Sequence, residues 1–313
     1  MNSIKTNFSA MTALQSLQQT NKDLLSTQNR IATGYRIASA EDGAAYWSIA
    51  TMMRSDNKAF STVQDALGLG SATVDVGYTA MDGAIKVASE LKAKLVAART
   101  PGVDRSRIQS ELTELQNHLR NMADSAVFSG QNWLSVDTSA AGYNATKSIV
   151  SSFSRATDGS ISIGTINVNV ASVALYDASA TGTGLLDGLR NATGALDAAG
   201  TFSISSIDIT ALTDSAADLT TLETYIKGVD TAISEMTAAA TNLGSLKQRV
   251  GLQQDFVSTL MDAIERGLAT LVDADMNEES TKLQALQVQQ QLGVQALSIA
   301  NSASQNIMSL FRS

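Results

Sequence analysis

A helical pattern fills the end of the chain, where residues 283–299 read LQALQVQQQLGVQALSI. At 100° per residue, the large apolar side chains of this predicted helix fall into two stripes about a third of a turn apart. Counted from Leu283 at 0°, the first stripe lies near 290° and contains Leu286, Leu297, Ile307 and Phe311. The second stripe contains Val288, Leu292, Ile299 and Leu310. One partner helix covers only one stripe, so the other predicts an interaction surface, covered either by a third helix of the same chain or by other copies.

The other helical patterns are arranged symmetrically about the middle of the chain. Residues 2–34 predict a helix of about 50 Å, and residues 278–311 predict another short one. Residues 44–100 and 214–271 predict two long helices of about 85 Å each. Because the lengths match in pairs, we expect antiparallel pairing that brings both termini to the same end. A further helix is predicted over residues 104–128.

Two features refine the first pair of helices. Leu14, Leu17, Leu24 and Ile31 recur at heptad-like spacing in the first helix, which is typical of a coiled-coil seam. The long helix that follows contains several glycines, which are unfavourable inside a helix. They indicate either close packing against a neighbour or a break near Gly68.

The middle of the chain, from residue 129 to residue 213, is rich in Ser, Thr, Gly and Asn. Alternating apolar and polar residues predict short strands at 161–163, 166–170, 202–204 and 207–209. The predicted fold class is therefore mainly α, a long antiparallel helical coiled-coil bundle with a small β-hairpin-rich region.

The symmetric order of the helices predicts domains that are discontinuous in sequence. Residues 1–42 plus 273–313 form a terminal coiled coil, and residues 43–176 plus 201–272 form a helical bundle with the β region. Residues 177–200 form a short separate segment.

The composition argues against most chemical functions. The 313 residues include no cysteine and one histidine, His118, which excludes thiol catalysis and zinc sites of the Cys/His type. The net charge of −8 argues against binding of nucleic acid. We found no stretch of about 18 apolar residues and no secretory signal pattern, so neither membrane insertion nor classical secretion is indicated. We expect a protein that is not an enzyme and that holds no cofactor.

One motif resembles a metal site. Asp273, Asp275 and Asn277 match the first ligand positions of a calcium-binding EF-hand loop, but Glu278 replaces the required glycine. Gln284 replaces the closing glutamate as well. We therefore interpret these residues as a solvated joint between helices and expect no metal.

Both ends of the chain resemble a known family. Residues 28–37 read QNRIATGYRI and residues 39–45 read SAEDGAA, which is similar to the ERLSSGxRIxSAKDDAA stretch near the start of bacterial flagellins. Residues 300–312 read ANSASQNIMSLFR, which resembles the ANxxPQNVLSLLR terminus of that family. Residues 273–275 and 128–134 match further family motifs. Tyr46-Trp47-Ser48-Ile49-Ala50 resembles flagellins of soil and plant-associated α-proteobacteria.

This resemblance implies a structural subunit that polymerises into a flagellar filament for swimming. The terminal coils would line an inner tube, the long helices would form an outer tube, and residues 177–200 would be a vestigial form of the variable outer segment. The subunit would be secreted by the flagellar type III export apparatus without a cleaved signal. Its partners would be copies of itself, sister flagellins, an export chaperone that masks the C-terminal helix, a filament cap and hook-junction proteins.

Two other functions are compatible with long paired helices. A hook–filament junction protein of the same family shares the terminal helices. A cytoplasmic signalling coiled coil also contains long antiparallel helices, but it leaves the second stripe of the last helix unexplained.

The resemblance also implies a segment that innate immune receptors detect in other flagellins. The residues of this segment are Arg30, Gly34, Arg36, Ile37, Ser39, Glu41 and Asp42. Glu41 and Gly43 stand where the segment sensed by plants usually contains Lys and Asp. Residues 91–98 lack the Arg-centred pattern that the animal receptor binds. We therefore predict no strong recognition by either receptor.

Overall fold

The computed structural model describes residues 7–179 and 182–310, with side chains as far as residue 302. Its helices are α1 (Phe8–Thr33), α2 (Ala40–Ala98), α3 (Arg105–Ser125), α4 (Ala216–Val272) and α5 (Met276–Leu310). Its strands are β1 (Val127–Phe128), β2 (Gln131–Asn132), β3 (Ser135–Val136), β4 (Thr146–Arg155), β5 (Ile161–Asn169) and β6 (Tyr176–Asp177). The predicted fold class, mainly α with a small β region, is confirmed.

Local residue chemistry explains where the helices begin and end. The side chain of Asn7 accepts a hydrogen bond from the backbone N–H of Ala10 and caps α1, and Asp104 caps α3 in the same way. Gly34 ends α1 in the left-handed region, at φ 74°, which glycine adopts without steric cost. Helix α2 continues through Gly68, and its one non-helical residue is Gly43, at φ 169° and ψ 89°. There is thus no break near Gly68, and close packing accounts for Gly70 and Gly83, where an added Cβ atom would lie 2.5 Å from Ile149 and closer still to Met122, respectively.

The chain divides into two compact units that each combine distant parts of the sequence. The terminal unit contains residues Met1–Lys58 and Met261–Ser313, and the central unit contains residues Ala59–Leu260. Helices α2 and α4 contribute residues to both units. None of the helices in the described part of the chain offers an apolar stretch of the length and hydropathy that a bilayer crossing requires.

Helices α2, α3 and α4 form the bundle of the central unit. Asp75 of α2 pairs with Lys247 of α4 at 2.6 Å, and Arg99 near the end of α2 pairs with Glu223 near the start of α4, so these helices run antiparallel. Lys94 of α2 also pairs with a carboxylate of α3. The side chains that the bundle buries completely include Leu67, Met81, Leu91, Leu95, Leu112 and Leu119. The helical spacing of apolar residues in α2 and α3 thus produces a core that the chain covers by itself.

The hairpin of β4 and β5 packs against α2. Its strands are antiparallel, with Ile149 opposite Ile166 and Phe153 opposite Ile163. The rings of Phe153 and Phe60 meet edge to face, with centroids 5.5 Å apart. A Cβ atom at Gly70 would lie 2.5 Å from Cγ2 of Ile149, so the glycine lets the hairpin approach the helix closely. The strands predicted at 161–163 and 166–170 form the single strand β5, except that Val170 belongs to a 3-10 turn, Val170–Ser172.

The strands predicted at 202–204 and 207–209 were wrong. Residues Ile204–Ser206 form a short 3-10 turn, and no strand includes residues 202–209. The backbone carbonyl of Ile204 accepts a hydrogen bond from the Gln116 side chain at 2.9 Å. The Gln109 side chain bonds both the carbonyl of Ile207 and the N–H of Ile209. These glutamines of α3 occupy the backbone groups that a neighbouring strand would otherwise bond.

A buried arginine organises the segment that precedes α4. The side chain of Arg190 is 0% exposed and donates hydrogen bonds to the backbone carbonyls of Leu185 and Gly194 at 2.6 and 2.7 Å. It also pairs with Glu235 of α4 at 2.7 Å. Gly194 lies so close to α4 that a Cβ atom there would be 2.8 Å from the carbonyl oxygen of Lys227. The guanidinium of Arg190 therefore joins the loops of this segment to one another and attaches them to α4.

A buried carboxylate closes the neighbouring loops. Asp177 accepts hydrogen bonds from the backbone N–H and hydroxyl of Thr138, from those of Ser179, and from the hydroxyl of Thr183. Burial alone would raise the pKa of Asp177, but these hydrogen bonds outweigh it and lower the pKa below its ordinary value. The ionised side chain therefore stabilises the fold at neutral pH.

Candidate functional site

Helices α1 and α5 pair antiparallel in the terminal unit, and the pair is held at both ends. The side chain of Asn7 donates a hydrogen bond to the carbonyl of Ala300 at 2.9 Å. At the opposite end Arg30 pairs with the buried Glu279 at 3.1 Å. These contacts join the beginning of each helix to the end of the other. The antiparallel pairing predicted from the two short helices is confirmed within this unit.

The seam between α1 and α5 is unusually polar. Thr20 and Thr27 are buried in it, seven residues apart on α1. Asn21 accepts a hydrogen bond from the Gln290 side chain at 2.7 Å. The hydroxyl of Thr20 donates to the carbonyl of Ser16 and is satisfied within its own helix. The seam therefore specifies direction and register, but it buries little apolar surface.

The inner side of α5 carries the first stripe predicted from the sequence. Leu286 is buried, and Leu283 and Leu297 are half-buried. At Gly293, between them, a Cβ atom would lie 3.2 Å from Cδ1 of Leu17, so the two helices approach closely there. Ile307 belongs to α5 without a described side chain, and Phe311 lies outside the described residues.

The outer side of α5 carries the second stripe. We call Val288, Leu292 and Ile299 the α5 outer stripe. All of them are exposed, and Leu292 and Ile299 have 59% and 68% of their surface open to solvent. Leu310, the last member predicted, lies in α5 without a described side chain. Within the terminal unit no described element covers this stripe, which is therefore an exposed apolar surface of the kind that marks interaction sites.

Helix α1 adds a surface that the sequence analysis located only in part. Leu17, Leu24 and Ile31 are half-buried, as the heptad spacing predicts, but Leu14 is exposed. Thr20 and Thr27 occupy the core positions between them, so Leu14 falls one position outside the seam. Met11 and Leu25 are exposed on the same face as Leu14, and Phe8 is exposed at the start of the helix. Their spacing of three and eleven residues was the signal for this second apolar surface.

The predicted receptor segment folds as the connection between α1 and α2. Arg36 and Ile37 donate backbone hydrogen bonds to the carbonyl of Val272, and the side chain of Ile37 is buried with Ala50 and Val272. Asp42 accepts hydrogen bonds from the backbone N–H groups of Ser39 and Ala38. The bond from Ser39 is the largest influence on this carboxyl, and the pKa of Asp42 is lowered.

The other members of the receptor segment lie at its edges. Glu41 is exposed at the start of α2, and Arg30 and Gly34 lie at the end of α1. Nearby, Asp273 and Asp275 lie in the short joint between α4 and α5. Among the described residues, no group of three or more His, Cys, Asp or Glu side chains is placed to hold a metal ion.

Comparison with known proteins identifies what these features resemble. The model of the bacterial flagellin N-terminal helical region matches residues 4–138, and that of the C-terminal helical region matches residues 226–311. Flagellin C of Rhizobium meliloti (strain 1021) is 50% identical over 326 aligned residues, and the alignment covers 100% of both chains. With the same full coverage, Flagellin A of that strain is 41% identical and a flagellin of Brucella melitensis biotype 1 is 42% identical.

Proposed function

The chain belongs to the bacterial flagellin family, and we propose that the α5 outer stripe is a contact through which its copies polymerise. The protein is a structural subunit of the flagellar filament, which lies outside the cell and serves swimming motility. Its relatives are named flagellins, so neither a junction protein nor a signalling coiled coil is favoured.

A single observation carries the proposal, the exposure of large aliphatic side chains on a helix whose opposite side is already paired. Transfer of such a side chain from water to an apolar contact is worth about 1.5–3 kcal/mol. Val288, Leu292 and Ile299 lie on one face of α5, so a single neighbouring surface is able to bury all of them. The exposed face of α1, which contains Met11, Leu14 and Leu25, contributes further apolar surface to the same unit.

Six of the remaining predicted assembly residues would act inside the subunit. Leu17, Leu24, Ile31, Leu283, Leu286 and Leu297 would hold α1 and α5 together and so present the outward residues on a stiff pair. By the sequence pattern alone, Ile307 and Phe311 would continue the first stripe, and Leu310 would continue the second.

We also propose the division into domains that the sequence suggested. Residues 1–42 plus 273–313 would form the inner tube, and residues 43–176 plus 201–272 the outer tube. The terminal unit contains both proposed inner-tube segments, which supports the first assignment. Residues 177–200 would be the reduced outer segment, and they lie between the ranges that the two family models match.

Further partners follow from the need to hide the α5 outer stripe before assembly. An export chaperone would cover the C-terminal helix in the cell, and a cap would hold the subunit at the filament tip. Hook-junction proteins and sister flagellins would meet the same terminal surfaces. A pull-down with the full chain and with an Ile299→Asp variant would test the chaperone, which should be retained only by the unaltered helix.

The test of the assembly contact is a charge placed on the stripe. Leu292→Asp or Ile299→Asp would bury an unpaired carboxylate in every subunit contact, at a cost of several kcal/mol. We expect the critical concentration for polymerisation to rise by about 100-fold or more, since each 1.4 kcal/mol is a factor of ten. Sedimentation of seeded filaments and negative-stain microscopy measure this, and circular dichroism checks that the helices persist.

Ser298→Asp is the matched control for this test. It adds the same charge one residue away, about 100° around the helix and on another exposed position. The control should polymerise nearly as well as the unaltered chain. If Ile299→Asp and Ser298→Asp polymerised equally well, the α5 outer stripe would not be the assembly contact.

For the receptor segment, we propose that recognition is poor because Glu41 and Gly43 depart from the segment that plants sense. A synthetic peptide of residues 28–50 should cause no plant receptor signalling at nanomolar doses. Restoring Lys at position 41 and Asp at position 43 in the same peptide should increase the response. A full response to the unaltered peptide would refute this interpretation.

A further inference from the structure

The described part of the central unit covers most of its large apolar side chains, and two patches of neighbouring residues are among those that it leaves exposed. The first patch, which we call the α4 ridge, consists of Leu252 and Phe256. The second, which we call the hairpin tip, consists of Ile161 and Ile163 of β5. Leu252 is 71% exposed and Ile163 is 61% exposed. Both patches lie within residues 59–260, the central unit.

The α4 ridge lies on the side of its helix that the bundle does not use. Val250 and Val257 are buried and face the core, whereas Leu252 and Phe256 follow each other by one turn on an exposed face. A Cβ atom added at Gly251 would have no heavy atom within 4 Å apart from its own backbone surroundings. The surface around the ridge is therefore open, so a helix or strand of another molecule is able to pack against it.

The hairpin tip belongs to a sheet of only two strands. Ile149 and Phe153 of β4 anchor the hairpin on α2, as described above. Ile161 and Ile163 lie opposite Arg155 and Phe153 in the register, beyond the part of β5 that is buried. Ile161 and Ile163 point to the same face of the strand and form one exposed apolar patch, and such patches mark contact sites.

We propose that the hairpin tip of one copy packs onto the α4 ridge of another copy in the filament. An open helical polymer needs heterologous contacts, in which two different patches meet, because a patch that pairs with itself closes a dimer. The central unit offers two such unlike patches, and neither is covered by its own chain. This inference rests on polymerisation of the chain and not on the α5 outer stripe.

Charged neighbours of the two patches restrict how the patches would meet. Arg155 lies opposite Ile161 on the hairpin, with its guanidinium carbon 5.9 Å from the centroid of the Phe153 ring. On α4, Asp255 is exposed one turn after Leu252, and Arg249 is exposed one turn before it. A contact that sets Arg155 beside Asp255 rather than beside Arg249 would pair opposite charges at its rim and so orient the two copies.

The chain contains no cysteine, so introduced thiols give a direct test. Ile163→Cys and Leu252→Cys are made in separate chains, and the two variants are polymerised alone and as an equal mixture. Mild oxidation of the filaments, followed by non-reducing electrophoresis, should give a disulfide-linked dimer in the mixture. Filaments of either variant alone should give at least about tenfold less dimer. Equal yields from one variant alone would show a like-with-like contact and overturn the proposal.

Ser162→Cys is the matched control for the hairpin. Successive residues of a strand point to opposite faces, so this thiol faces away from Ile161 and Ile163. Mixed with Leu252→Cys, it should give little dimer in filaments that microscopy shows to be intact. Dimer from the control equal to that from Ile163→Cys would overturn the proposal, as would intact mixed filaments without any dimer.

A second measurement needs no cross-link and covers the case in which a cysteine variant fails to polymerise. The critical concentration is measured for Ile163→Ser, for Leu252→Ser and for the chain with both changes. Each single change should raise it, and the double change should raise it no further than the larger single effect, because both remove one contact. Fully multiplicative effects would contradict the pairing, and so would single changes without effect.

Discussion

Helices α2, α3 and α4 of the central unit meet through fully buried leucines and methionines, whereas α1 and α5 of the terminal unit meet through mostly half-buried aliphatic side chains, buried threonines, amides and an ion pair. In the described part of the terminal unit, the buried hydrophobic residues are Ile37, Ala50, Val272 and Leu286. All the other hydrophobic residues that are buried in the described part of the chain belong to the central unit. The central unit therefore has a core of its own, whereas the terminal unit exposes several large aliphatic side chains, which we propose to be contacts with further copies.

The largest effect should come from removing the terminal segments altogether. A chain without residues 1–42 and 273–313 should remain folded, since the core of the central unit is complete within residues 59–260. It should be a monomer that does not polymerise at any accessible concentration. Analytical ultracentrifugation and circular dichroism measure both properties. Filaments grown from the trimmed chain would show that polymerisation does not need the terminal segments, and would contradict this prediction.

The next effect concerns the central unit and should leave the terminal unit unchanged. Arg190→Ala removes a buried cation, which leaves Glu235 and two backbone carbonyls without their donor. Loss of one partner of a buried pair costs about 3–5 kcal/mol. We expect that loss in the free energy of unfolding of the trimmed chain, measured by urea titration. Arg120→Ala, which removes a half-exposed arginine from α3, is the control and should cost far less.

A smaller effect with a distinct pH dependence should follow from Asp177→Asn. The amide no longer accepts the same hydrogen bonds, so we expect a loss of about 1–3 kcal/mol at pH 7. Because folding lowers the pKa of Asp177, its stabilisation is complete above the unfolded pKa of about 3.9 and disappears as the pH falls towards the lower folded pKa. The difference between the two chains should therefore be constant near neutral pH and shrink below about pH 4. A difference that grew in acid would contradict this.

The smallest predicted effect concerns the stability of the α1–α5 pair, whose seam contains buried threonines. Thr20→Val and Thr27→Val keep the shape of the buried side chains and replace a hydroxyl with a methyl group. We expect each to stabilise the α1–α5 pair of the free subunit by up to about 1 kcal/mol. In circular dichroism, helicity should then be lost at a higher temperature. Thr12→Val, on the exposed side of α1, should have no such effect. Destabilisation by the buried changes would show that the hydroxyls are needed in the seam.

The sequence was most informative for the long regular helices, because a rotation of 100° per residue assigns each apolar side chain to a face of the helix. Counting 100° per residue placed Leu286 on the paired side of α5 and both Leu292 and Ile299 on the open side, as the structure has them. The same reasoning failed for Leu14, because the seam uses Thr20 and Thr27 at its core positions. Hydrophobic periodicity does not count threonine as a core residue, so the frame of the heptad was ambiguous.

Between residues 177 and 209 the sequence was much less informative. The alternation at 202–209 was real, but glutamine side chains from α3, rather than a strand, bond the backbone there. The role of Arg190 had no local signal, because arginine is usually exposed and its partner Glu235 lies 45 residues away. Contacts of this kind depend on which distant elements pack together, and a local sequence pattern does not reveal that.

Amide hydrogen exchange tests the central claim most directly, because it compares both units in the same unaltered chain. In the free subunit, amides of α1 and α5 should exchange orders of magnitude faster than those of α3. In the filament, protection of residues 8–33 and 276–310 should rise towards that of α3, whose own protection should change little. Terminal helices that are already as protected as α3 in the free subunit would contradict the account.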